Sequence, residues 1–157
     1  MANLFILQKV GANAHYVDVV APAGTTNGNI LVLGTQAIDK TYASAACGAV
    51  TDVGMVVVCN PNLPYSVETL ENDTVISTGE IVRCRVVELG DVESYPVSVI
   101  TATVALAVGK IVAPKATALK TECLAAFAGT EIMGWIIEEL FTKAGVPMCK
   151  LRAIRVG

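Results

Sequence analysis

The chain has 157 residues, a formal net charge of −3, 54% hydrophobic residues and 16% charged ones, with a mean hydropathy of +0.60. It contains no cluster of Lys and Arg of the kind that binds nucleic-acid phosphates, and no run of about 20 apolar residues that would cross a membrane as a helix. We therefore expect neither nucleic acid nor a membrane as partner, and we expect other subunits of an oligomer or assembly to cover the excess apolar surface.

The first part of the chain alternates short apolar runs with turn residues. Residues 4–10 (LFILQKV) predict a strand or an apolar arm, and residues 15–20 (HYVDVV) predict a second strand. Asn27-Gly28 is typical of the left-handed turn of a β-hairpin, and residues 30–33 after it predict a strand. These patterns indicate β-structure in the N-terminal part.

The middle of the chain contains the clearest strand pattern. Residues 35–49 are rich in Ala and predict a helical turn or a loop, whereas residues 53–59 predict a short apolar strand. Residues 79–89 alternate at period two, which places Arg83 and Arg85 on one face of a strand. An Arg pair on a strand usually faces solvent or a partner subunit, and we expect that here.

The C-terminal part continues the alternation of strands and turns. A turn is expected at Gly90-Asp91, strands at residues 97–104 and 110–113, and at most a short helix near residues 119–127.

The segment 132–141 has two interpretations. It could form an amphipathic helix with Gly145 as C-cap, or a strand that turns at residues 143–145 into a strand at residues 148–156. The last segment alternates at period two and needs a partner strand, so the hairpin is favoured.

No constellation of residues in the sequence indicates catalysis or metal binding. His15 is the one histidine, and the five cysteines are dispersed without the spacing of a zinc site. We expect reduced, buried thiols, no catalytic or metal site and no cofactor; an enzyme with a cysteine nucleophile is the remote alternative. Trp135 is expected to anchor the core or, if exposed, an interface.

The predicted fold is mainly β, a small β-barrel or β-sandwich with at most one or two short helices. Residues 1–70 are interpreted as an N-terminal arm and β lobe, and residues 71–157 as a C-terminal β-barrel-like lobe, with one compact domain as the alternative. Similar Gly-bounded apolar segments before residue 59 and after residue 79 leave open that the two lobes are related.

The second half of the chain, residues 79–157, resembles the capsid decoration (cement) proteins of tailed bacteriophages. The resemblance lies in the order of strands and turns rather than in one motif. Its pieces are the segments 80–89, Gly90-Asp91, 97–103, 107–110 (AVGK), 133–138 and 151–156.

The resemblance implies a non-enzymatic virion protein, often a homotrimer, made in the host bacterial cytoplasm. It would bind the capsid exterior and stabilise contacts between major capsid subunits. An N-terminal arm could add a strand to a neighbour's sheet, and the interface candidates are Leu4, Phe5, Leu7 and Trp135.

Two alternatives stay open. One is a phage tail-tube or head-fibre component. The other is a small-ligand-binding β-barrel whose pocket is lined by Trp135, Phe127 and Phe141.

Overall fold

The computed structural model describes residues 15–47, 54–59 and 76–156, together with the backbone of the strand at residues 6–9. The fold is mainly β: a closed five-stranded barrel and a seven-stranded sheet, with one short 3-10 helix, Val97–Val99, in the described part. The predicted fold class is therefore confirmed. In the same residues, no helix has the length and apolar character needed to cross a membrane.

Residues from the first half of the chain form most of the barrel. Its strands, in the order in which they pair, are β2 (Tyr16–Val20), β4 (Tyr42–Ala46), β3 (Ile30–Gln36), β5 (Met55–Val58) and β6 (Ile81–Val86). Four of the five pairings are antiparallel, and the pairing of β2 with β4 is parallel. Pairing of β2 with β6 closes the barrel, which leaves it no free edge.

The second sheet combines the N-terminal strand with the C-terminal half of the chain. Its strands, in pairing order, are β1 (Ile6–Lys9), β7 (Val92–Pro96), β12 (Val146–Arg155), β11 (Met133–Lys143), β9 (Ile111–Pro114), β10 (Thr121–Leu124) and β8 (Ile100–Ala102). Only the terminal pair of β10 and β8 is parallel among these strands.

One hydrophobic core joins the barrel to the second sheet. Ile30, Met55 and Val57 of the barrel lie in the same buried cluster as Tyr95 and Trp135 of the sheet. A separate cluster fills the barrel interior. The predicted boundary between residues 70 and 71 lies outside the described residues, while β6 from beyond that boundary completes the barrel and β1 from before it joins the second sheet.

The C-terminal hairpin is confirmed. Strands β11 and β12 pair antiparallel from Met133↔Arg155 to Lys143↔Val146. The two loop residues, Ala144 and Gly145, have φ angles of 49° and 77°, the left-handed conformation that a two-residue hairpin loop requires.

The Asn27-Gly28 segment is a left-handed turn, since Gly28 has φ 84°. It does not join a hairpin, because β2 pairs with β4 and β6 and never with β3. The turn instead packs between the two sheets: the Gly28 N–H donates to the Val58 carbonyl at 2.8 Å, and an added Cβ would lie 3.2 Å from Pro96 Cδ. The predicted hairpin is therefore wrong.

In the described residues, neither the helical turn that was one alternative for residues 35–49 nor the short helix allowed near residues 119–127 is formed, whereas residues 37–41 agree with the loop alternative. The Ala-rich segment 35–49 contains the end of β3 and strand β4, and residues 119–127 contain β10. Pairing on both sides overrides the helix propensity of Ala in β4, and β10, which contains no Ala, is likewise paired on both sides. The strand predicted at residues 97–104 begins as the 3-10 helix and continues as β8.

Candidate functional site

The junction between barrel and sheet holds a buried charge cluster. One guanidinium nitrogen of Arg85 contacts the Asp91 carboxylate, and the other contacts the Glu93 carboxylate. The Tyr95 hydroxyl donates to the second Glu93 oxygen at 2.5 Å. All four side chains are buried. Burial raises the pKa of Tyr95 far above its ordinary value, so the phenol stays neutral and serves as a donor.

Strand periodicity builds the acidic side of this cluster. Asp91 just before β7, and Glu93 and Tyr95 within it, occupy alternate positions and so present one face. Asp91 also accepts the Glu88 N–H at 3.0 Å, which fixes the turn before the strand.

The Arg pair on β6 is split between two environments. The Arg83 side chain is half exposed and lies 3.6 Å from Asp18, in agreement with the prediction, whereas Arg85 is fully buried against the second sheet. The prediction for Arg85 is therefore wrong. The signal in the sequence was the alternation of acidic residues and Tyr just downstream, which offers a buried guanidinium its partners.

The cysteine thiols show no sign of activation. All five cysteines lie within the described residues and carry thiols that are not joined in disulfides. Burial raises the pKa of Cys59 to about 11 and that of Cys149 to about 12, and it also raises the pKa values of Cys84 and Cys123. These four thiols are protonated near neutral pH, which disfavours them as nucleophiles. Groups of His, Cys, Asp and Glu that could hold a metal ion are absent from the described part of the chain.

Two of the four predicted interface residues lie within the described part of the chain, Leu7 by its backbone and Trp135 with its side chain. Leu4 and Phe5 lie outside the described residues. Leu7 belongs to β1, where its backbone pairs with Glu93 of the same chain, so the strand at residues 6–9 lies on its own sheet. Trp135 is 1% exposed and packs edge-on against Tyr95, with the ring centroids 6.4 Å apart. Its side chain belongs to the core and not to the surface of the monomer.

The three aromatic residues of the predicted ligand pocket lie in different surroundings. Trp135 is in the shared core, whereas Phe141 packs with Val146 and Met148 in a separate cluster. The Phe127 ring lies over Gly134. Trp135 and Phe141 thus belong to different hydrophobic clusters.

The barrel presents an apolar surface around the tip of the β3–β4 hairpin. Ile38 at the tip is 101% exposed, which is rare for an isoleucine. Beside it lies an open groove of about 350 Å³ lined by Val20, Ala21, Pro22, Thr35, Gln36, Ala37, Thr41, Ala43 and Ser44. Val20 pairs with Ile81, which is also exposed. We name Ile38, this groove, Val20 and Ile81 the Ile38 surface.

Hydrogen bonds within the loop stabilise the Ile38 turn. The Ala37 N–H donates to the Thr41 carbonyl at 2.8 Å, and the Asp39 carboxylate accepts the Thr41 hydroxyl at 2.7 Å and its N–H at 3.1 Å. Lys40 takes the left-handed conformation with φ 72°, as the last residue of a three-residue hairpin loop does. The hydrogen bond from Thr41 lowers the pKa of Asp39, so the carboxylate stays ionised as an acceptor.

A second groove, of about 420 Å³, lies where the barrel meets the second sheet. It is lined by Gly24, Thr26, Asn29, Ser98, Val99, Ala118, Leu119 and Lys120. The Ile30 N–H of the barrel donates a hydrogen bond to the Leu119 carbonyl at 3.0 Å, which connects the two sides of the groove.

No family model matches this sequence, and no curated protein is similar to it at a significant level.

Proposed function

We propose that the chain is a non-enzymatic virion structural protein that binds the outside of a phage capsid and stabilises contacts between major capsid subunits. The Ile38 surface is the observation that carries the proposal. It holds an isoleucine entirely in water, on a hydrogen-bonded turn, beside an open groove and the exposed pair Val20 and Ile81. An arrangement of this kind supports contact with another protein surface.

The energetics of such a contact are favourable. Full burial of an isoleucine side chain contributes about 1.5–3 kcal/mol. Because the turn is already fixed by Asp39 and Thr41, binding orders little additional backbone. A small rigid protein can therefore add buried area across the boundary between two capsid subunits without a conformational change.

The surroundings of the reactive groups favour contact over chemistry. The Arg85 cluster is enclosed between the two sheets and offers no opening for a substrate, and four of the five thiols are held protonated. The capsid as partner, and self-association as a homotrimer, come from the resemblance of residues 79–157 to phage decoration proteins.

Co-sedimentation with expanded, empty shells of the virus whose genome encodes the chain tests the proposal. Saturable binding at a fixed ratio to capsid subunits, with shells that resist higher denaturant concentrations, would support the stabilising role. Saturable binding without added shell strength would support attachment and contradict the stabilising role. Absence of binding would contradict the proposal and favour a tail or head-fibre component.

A further inference from the structure

The outer edge of β11 has no partner strand beyond Ile137 in the described part of the chain. Strand β9 pairs with Trp135 and Ile136, and Lys110 and Gly109, just before β9, hydrogen-bond to Ile137. Pairing with β12 on the inner side continues to Lys143. Residues 138–143 therefore form a half-paired strand, and most of its side chains are exposed. Such an edge is a template for another strand.

The register of the hairpin fixes which backbone groups point outward. A two-residue loop closes on a hydrogen-bonded pair, here Lys143 and Val146. Hydrogen-bonded and non-hydrogen-bonded pairs alternate along an antiparallel ladder, so Phe141 and Glu139 also bond to β12. The N–H and C=O groups of Leu140 and Thr142 consequently point away from β12, toward the open edge.

We propose that this edge pairs with the same edge of a second copy of the chain, antiparallel across a two-fold axis, with Leu140 opposite Thr142. This register joins outward-pointing residues on both strands and forms about four backbone hydrogen bonds. It also places Glu139 opposite Lys143 of the second copy, and this happens twice because the contact is isologous. Phe141 then lies opposite the second copy's Phe141.

Charge complementarity selects this register over its neighbours. In one alternative register, Leu140 faces Leu140 of the second copy, and Glu139 then faces Phe141. In the other, Thr142 faces Thr142 of the second copy, and Phe141 then faces Lys143. Neither register pairs opposite charges. In the proposed register the charged residues form non-hydrogen-bonded pairs, in which the side chains approach most closely. Glu139 already lies 3.6 Å from Lys150 of its own chain, and its half-exposed carboxylate has room for a second cation.

The bulge in β11 limits the contact to this segment. Pairing with β12 shifts by one residue between Ile137 and Glu139, which interrupts the regular edge there. At the other end, the chain turns at Ala144-Gly145. The contact therefore pairs residues 139–143 of one chain with the same five residues of the second. It does not depend on whether the chain binds a capsid.

Charge reversal tests the proposal through the oligomeric state of the purified full chain. Sedimentation equilibrium should show an even-numbered oligomer of the 16.3 kDa chain: a dimer from this contact alone, or a hexamer where the contact joins two of the proposed homotrimers. Lys143→Glu and Glu139→Lys should each weaken the association about tenfold or more, because two attractive pairs become two repulsive pairs. The double variant exchanges the charges and should restore the association. Lys120→Glu makes the same charge change at an exposed residue away from β11 and serves as control.

Two further variants test the backbone pairing and the register. Thr142→Pro removes an outward-pointing N–H that β12 does not use, and it should abolish the association while the thermal melting temperature stays close to that of Thr142→Val. Phe141→Cys should cross-link two copies on mild oxidation, because facing Cα atoms of such a pair lie about 4.5 Å apart, within disulfide range. The wild-type chain under the same oxidation is the control.

A monomeric wild-type chain at all accessible concentrations would overturn the proposal. So would an oligomer that both single charge reversals leave unchanged, or a charge-exchanged double variant that stays dissociated.

Discussion

Arg85 on β6 and Glu93 on β7 form a buried ion pair that connects the barrel to the second sheet. Asp91 contacts the same guanidinium, so one buried cation faces two carboxylates. A buried pair of this kind contributes little net stability relative to an apolar replacement, but removal of one partner leaves an uncompensated charge. The cluster therefore fixes how the two sheets pack more than it increases the free energy of unfolding.

Arg85→Met should lower the free energy of unfolding by about 3–5 kcal/mol, because it leaves Asp91 and Glu93 buried without their cation. Arg83→Met, two residues away on the same strand, should cost less than about 1 kcal/mol, because its pair with Asp18 is half exposed. Urea unfolding followed by far-ultraviolet circular dichroism measures both. Equal losses for the two variants would contradict the account of the cluster.

Acid should lower the free energy of unfolding by protonating Glu131, which lies in the loop before β11. Burial raises the pKa of Glu131, but hydrogen bonds from the N–H groups of Glu131, Ala128, Gly129 and Thr130 together lower it below its ordinary value of 4.5. The folded state thus binds the proton less readily than the unfolded chain. The stabilisation is present above about pH 4.5 and is lost as the pH falls through the folded-state pKa.

Glu131→Gln should therefore lower the free energy of unfolding by about 1–3 kcal/mol at neutral pH, with a smaller difference from wild type at about pH 3. Urea unfolding at a series of pH values checks this. Half-buried Glu122, whose carboxylate accepts the Thr103 hydroxyl at 3.2 Å rather than a set of backbone N–H groups, is the control when it is changed to Gln in the same way. A difference that stays constant with pH would refute the role of the ionised carboxylate.

Substitutions at the two residues of the β11–β12 loop should change the free energy of unfolding in opposite directions. Ala144→Asn should raise the free energy of unfolding by about 0.5–1 kcal/mol, since Asn accepts the left-handed conformation better than Ala. Gly145→Ala should lower it by about 1 kcal/mol through backbone strain alone, because an added Cβ there has no neighbour within 4 Å. Thermal melting of both variants tests this, and the same sign of change for both would contradict it.

Gly134 should not tolerate a side chain. An added Cβ would lie 2.9 Å from the Val112 carbonyl oxygen and would meet the Phe127 ring. Gly134→Ala should therefore lower the free energy of unfolding by about 1–3 kcal/mol. The double variant with Phe127→Leu should recover part of this loss and not all of it, because the backbone oxygen cannot move away. Full stability of Gly134→Ala in urea unfolding would show that the strand has room to shift.

The sequence predicts individual strands better than their pairing. Strand composition located β2, and alternation located β6 and β12, whose need for a partner favoured the β11–β12 hairpin. Each of these predictions used a local signal in the side chains of the segment. The parallel pairing of β2 with β4 has no such signal, since it depends on contacts between distant segments. The strand over Tyr42–Ala46 was missed for the same reason: its Ala residues favour a helix locally, and only its neighbours make it a strand.

The candidate surfaces were less predictable than the fold. The exposure of Ile38 follows from a hairpin tip within a segment for which a loop or helical turn was expected. The burial of Arg85 follows from contact between two sheets, which strand periodicity does not encode. Trp135 was identified as a core anchor from its apolar neighbours, and the structure places it there.

The affinity of an Ile38→Asp variant for expanded capsid shells tests the central claim most directly. The account predicts binding weakened about tenfold or more relative to wild type, because the anchoring side chain no longer gains from burial. Val108→Asp places the same charge on another exposed turn, 67% exposed, and should bind as wild type does. Equal binding of Ile38→Asp and wild type, or equal weakening by both variants, would contradict the assignment of the Ile38 surface as the contact with the shell.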